Sequence, residues 1–342
     1  MSEKERNIGL DIVKGIGIIA VVVGHSTGGT MFQSILYWFH MPLFFFISGF
    51  LFRPLQNLAE YKKWAVNRVK QLIVPYISFV LIITFVRYLI IGPKTIKWYF
   101  SDVLHILAGG QSIPDAVYVT IWFITCLIFT QLLFGFMQSI VKNKIYLFVI
   151  VIILYLLAHA ESRFMRDLHI PGNIDVSLLA VTYFYCGFVF SHLLIRINKD
   201  FMRLITILSC TFVILLITLK LNGMIDYSLD MYKKNYNNLI LDIVVPVIFI
   251  LFIYTLSNFI SHIRAKVIGF ILSLGRDSLV IMYLHIAIKL LIEGVMENQS
   301  IYTEILAIIL GILVPWLIAQ LLLTRFYPLR KFFLGTTKRV TG

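Results

Sequence analysis

About ten apolar runs follow one another along this chain, each near the twenty residues a helix needs to cross a hydrocarbon layer, and they leave little room for anything else. They fall near residues 8–25, 33–52, 71–91, 116–137, 145–160, 175–196, 203–221, 239–260, 277–294 and 302–324. In lipid every backbone amide must be satisfied internally, so continuous runs of this length predict helices; barrel strands would be shorter and alternate in polarity. Hydrophobic residues make up 59% of the chain and charged ones 14%, and the mean hydropathy is +0.89. These values exclude a water-soluble domain. The predicted fold class is all-α: a polytopic membrane protein of about ten helices, forming one domain over residues 1–342 with a short tail at 325–342.

The net charge of +13 could point to nucleic acid, but the cations follow the loops. With the N-terminus placed in the cytoplasm, twenty Lys and Arg residues fall on that side and eight on the other, with Lys14 and Arg87 inside helices. The asymmetry predicts both termini cytoplasmic in a multi-pass protein of the cell membrane, with membrane lipids and no nucleic acid as partners. The opening MSEKERN lacks a small-residue cleavage site after the first apolar run, which predicts a retained first span. Two basic segments, FRPLQNLAEYKKWAVNRVKQLIVPY and SHIRAKVIGFILSLGRDS, have the pattern of amphipathic helices lying on the inner leaflet. Cys126, Cys186 and Cys210 lie in separate apolar runs without CxxC spacing and read as packing residues.

The first span, IGLDIVKGIGIIAVVVGH, carries Asp11, Lys14 and His25 in an otherwise apolar run. At 100° per residue Lys14 and His25 fall within about 20° of one helix face, roughly 16 Å apart along the axis, and Asp11 shares that face. Ionisable groups within a bilayer are costly and read by default as a functional site. The bland alternative is a helix-end ion pair with an interfacial histidine. A neutral imidazole can take a proton from a hydroxyl, which makes His25 a general-base candidate, while Lys14 could hold a phosphate or pyrophosphate. His40, in WFHMPLFFFISGF, lies at a depth close to that of His25, and His285 lies midway along the ninth span. A lone membrane histidine is more often a packing or interhelical hydrogen-bonding residue, the reading favoured for His285. Three histidines on separate helices without HExxH spacing define no zinc site, so no metal is predicted.

The segments LDIVKGIGIIAVVVGHS, FHMPLFFFISGFLF, RVKQLIVPY, IWFITCLIF and LGRDSLVIMYLH, in this order between residue 8 and about 325, closely resemble the acyltransferase family 3 membrane proteins, nearest to the fucose 4-O-acetylase-like group. That resemblance implies about ten helices and an integral membrane O-acyltransferase. It would use acyl-CoA, usually acetyl-CoA, as donor and a hydroxyl of a surface glycan or its lipid-linked precursor as acceptor. The family signature is an Arg followed eleven positions later by an essential His; here His25 matches the histidine and Lys14 stands where Arg is commonest. Lysine keeps the charge and loses the bidentate fork. By resemblance His25 is the base, with Asp11 and His40 beside it in the catalytic set, and Lys14 and Arg68 contact the donor phosphates, joined by Ser48 and Arg276. Trp122, Asp175, Asp230 and His285 are the candidate acceptor contacts. The rival from another class is a polysaccharide or small-solute transporter or flippase, but no inverted repeat of the kind transporters often carry is visible.

Overall fold

The computed structural model describes residues 7–91, 95–108, 116–168, 170–194, 197–296 and 300–334. These residues form helices and no strand; an isolated antiparallel bridge joins Asp230 and Asn235. Among the described residues ten helical segments are long and apolar enough to cross a membrane, in agreement with the all-α reading. The chain packs as two compact units.

The first unit comprises residues up to 52, 183–231 and 235–278. Its centre is α1 (Ile8–Ser26), capped by Asn7, whose side chain accepts from the Leu10 amide. Around it stand α2 (Met31–Tyr37), α3 (His40–Phe50), α10 (Leu241–Ile260) and α11 (Lys266–Arg276), with α9 (Lys199–Leu221) packed outside α10. The sequence reads 33–52 as one span, whereas the structure breaks it between Tyr37 and His40. Pro42 is the cause: its ring would clash with the Trp38 carbonyl in an unbroken helix, but within the first turn of a new helix its missing N–H costs nothing. Glycine lets neighbours close in. A Cβ on Gly49 of α3 would lie 1.8 Å from the Phe184 carbonyl oxygen.

The second unit comprises residues 53–182, 232–234 and 279–342. It is built on α4 (Leu58–Ile91), which packs on α5 (Ile96–Ala108), α6 (Trp122–Ile140) and α14 (Tyr327–Leu334). The unit also holds α7 (Lys144–Phe164), residues 174–182 of α8 (Ile174–Leu194), most of α12 (Ser278–Val295) and α13 (Ile301–Ile318). The sequence separates a basic surface helix from a third span near 71–91; in the structure they are one 34-residue helix with Pro75 inside it. At 1.5 Å per residue α4 is about 51 Å long, well beyond a hydrocarbon core of about 30 Å, so its basic first turns project past the apolar layer.

Candidate functional site

Asp11 sits in the first turn of α1 and is buried, with Lys14 one turn on. Lys14 Nζ lies 3.4 Å from Asp11 Oδ1, and Arg276 Nε lies 3.8 Å from Asp11 Oδ2. One carboxylate therefore stands between two cations. Both cations keep part of their side chains exposed, 26% for Lys14 and 29% for Arg276. Arg276 reaches Asp11 because α11 packs on α1 with almost no space between backbones. A Cβ on Gly275 would fall 1.7 Å from the Asp11 carbonyl oxygen, and one on Gly15 would fall 2.1 Å from that of Ile271. The sequence-derived donor residues Lys14 and Arg276 are thus brought together through Asp11.

At the other end of α1 is His25. Its Nδ1 lies 3.2 Å from the Tyr37 hydroxyl, and its ring centroid is 6.4 Å from that of His40 in an edge-on arrangement. Tyr37 lies between them, with its ring 4.7 Å from His40. His40 is buried, and its Nδ1 is 2.8 Å from the Leu36 carbonyl oxygen. A carbonyl can only accept, so His40 carries a proton on Nδ1 and, in the neutral ring, its Nε2 is the acceptor nitrogen. The loop after α9 comes to the same place: Trp38 Nε1 donates to the Tyr227 carbonyl at 3.2 Å. Asp230 of that loop acts electrostatically on the Tyr37 phenol. His25, Tyr37 and His40 are therefore neighbours. Tyr37 and Gln33, which complete this cluster, escaped the sequence reading; the i, i+4 spacing of a polar and a phenolic residue just before HMP was the available signal.

Ser48 lies half-buried on α3 in the same unit. The remaining expected residues belong to the second unit. Arg68 Nε donates to Gln131 Oε1 at 2.5 Å. Trp122, buried at the start of α6, has its ring 5.8 Å from that of Tyr232. His285 is buried on α12 and donates from Nδ1 to the Ile281 carbonyl at 2.9 Å. Asp175 is buried and ion-paired to Lys234, which also binds Glu161 at 2.7 Å. Lys234 looks from the sequence like a solvated loop cation, and nothing in KKNYNN signals its burial. Burial disfavours its charge, but the hydrogen bonds and charges of Asp175 and Glu161 outweigh that and hold its pKa above the usual lysine value. Among the described residues no three His, Cys, Asp or Glu side chains come together as metal ligands.

No solved structure matches the chain. Among curated proteins it is similar to the nodulation protein NolL of Sinorhizobium fredii (strain NBRC 101917 / NGR234), 28% identical over 251 residues. The match covers 69% of this chain and 61% of the relative, so the chain spans about three-fifths of that protein's length. A family model described as an acyltransferase domain matches residues 7–320, nearly the whole chain. The resemblance read from the motifs is thereby borne out, and the chain belongs to the acyltransferase 3 family.

Proposed function

We propose that the protein is an integral membrane O-acyltransferase that takes an acyl group, acetyl in the first instance, from cytoplasmic acyl-CoA and passes it to a hydroxyl of a cell-envelope glycan or its lipid-linked precursor. The observation that carries this reading is the division of labour along α1. A partly exposed pair of cations about one buried carboxylate lies near one end, and a histidine held against a phenol lies about eleven residues on. An eleven-residue rise is about 16 Å, which suits an elongated donor with an anionic head and a reactive tip. Lys14 and Arg276 hold donor phosphate, with Asp11 keeping both cations in place. His25 takes the proton of the acceptor hydroxyl as its oxygen attacks the thioester carbonyl. The C–S bond breaks, the ester forms, and the proton passes from His25 to the departing thiolate. His40 lines the acceptor side. Ser48, on α3 of the same unit, is a further donor contact, tested by alanine replacement.

Acetyl-CoA binding to the purified protein in detergent tests the donor half of this scheme. Binding is expected to be saturable and to weaken about tenfold or more in Lys14→Ala, with Lys14→Arg retaining most of it. Equal binding in all three would remove Lys14 from the site, and no binding by folded protein would favour the transport reading. His25→Ala is expected to reduce transfer by at least about a hundredfold while leaving insertion and folding intact; turnover at the wild-type rate would sink the catalytic assignment.

A further inference from the structure

The turn joining α1 to α2 holds His25 more tightly than a pair of histidines requires. Gln33 Oε1 accepts from the Gly29 amide at 2.8 Å, and this fixes the orientation of the whole side-chain amide. Its Nε2 must then donate, and it does so to the Gly24 carbonyl at 2.9 Å, with the Tyr37 oxygen 3.4 Å away. The Tyr37 ring is walled in as well. A Cβ on Gly24 would come within 3.1 Å of it, and the His40 ring packs on it from another side. Its oxygen is thus set 3.2 Å from His25 Nδ1 with little freedom to turn away.

We propose that Tyr37 is the positioning residue of the transfer reaction: its oxygen accepts a hydrogen bond from His25 Nδ1–H, so that Nε2 is the basic nitrogen. This rests on the reading of His25 as the base. A neutral imidazole has one lone pair to offer, and which nitrogen offers it is decided by the partner of the other. Were Tyr37 the donor, the His25 lone pair would be tied to the phenol and unavailable to an acceptor hydroxyl. Gln33 Nε2 stands 3.4 Å from the phenolic oxygen as one donor, and that oxygen has a second lone pair to offer to Nδ1–H. The hydrogen bond from Nδ1–H to that oxygen strengthens when Nε2 takes the acceptor proton and the ring becomes an imidazolium. Tyr37 keeps its own proton throughout; the acceptor proton goes to Nε2 and from there to the thiolate.

Tyr37→Phe tests this directly, since it keeps the ring and removes only the oxygen. The expected result is a fall in kcat of about 10- to 100-fold with the donor KM within about twofold of wild type. Thermal unfolding of the variant shows whether the fold is intact. 15N spectra of histidine-labelled protein, with the His25 signal assigned by its loss in His25→Ala, are expected to show Nδ1–H in the wild type and a shift toward Nε2–H in Tyr37→Phe. A merely structural role would leave that tautomer unmoved. A wild-type kcat in Tyr37→Phe, or a lowered kcat with the tautomer unchanged, would overturn the proposal. Transfer at the wild-type rate in His25→Ala would instead bring down the base itself, a separate failure.

Discussion

Lys234 and Lys14 are both lysines set among apolar helices, but their surroundings are opposite. Lys234 is 0% exposed, and its three ammonium protons have three oxygens to meet, from Glu161, Asp175 and the Leu168 carbonyl. Its own carbonyl accepts from Ser162 Oγ at 2.6 Å. Lys14 has Asp11 at 3.4 Å, shares that carboxylate with Arg276, and keeps about a quarter of its side chain open. A charge whose donors are all occupied by protein has nothing left for a ligand, while one held loosely and partly exposed can still take an anion. Burial and pairing, rather than charge within a span, separate the structural cation from the one proposed to bind.

The largest expected effect follows from that contrast. Lys234→Met leaves Glu161 and Asp175 buried without their cation and is expected to cost about 3–5 kcal/mol of stability. Lys14→Met removes one member of a part-exposed pair and is expected to cost no more than about 1 kcal/mol while weakening the donor. Unfolding of both variants in the same detergent measures the difference. Equal losses would mean that Lys14 is as structural as Lys234, and the donor cluster would lose its chief support.

The sequence made the spans legible because twenty apolar residues carry their own signature, and it made Asp11, Lys14 and His25 legible because they interrupt one. Their helical register sufficed to put them on one face before any neighbour was known. What it could not supply was every contact that depends on two distant segments. The Asp11–Arg276 pair exists because Gly15 and Gly275 let α1 and α11 touch, and two glycines 260 positions apart carry no mark of facing each other. The break before His40 was half visible, because a proline such as Pro42 does not sit deep inside an unbroken helix, but the second helix that starts at His40, and hence the placing of its ring on the Leu36 carbonyl, needed the backbone. Lys234 was the hardest case, since a loop lysine in a polar run looks solvated whether or not two carboxylates await it.

A smaller effect sharpens the same comparison through pH. Burial alone would lower the Lys234 pKa, but Asp175 and Glu161 together raise it above its ordinary 10.5. A lysine with a raised folded-state pKa binds its proton more tightly in the folded protein than in the unfolded chain. The stability it contributes is therefore fully present below pH 10.5 and is lost as pH rises through the folded value. Between pH 7 and about 10 the gap in unfolding temperature between wild type and Lys234→Met is expected to stay constant, and above about 10.5 it is expected to narrow. Other lysines and the tyrosines titrate in the same range, so the difference between the two proteins, rather than either profile, is the quantity to measure. A gap that held its full size well above the folded pKa would mean that the methionine variant loses packing rather than an ion pair, and the contrast with Lys14 would then be one of shape instead of charge.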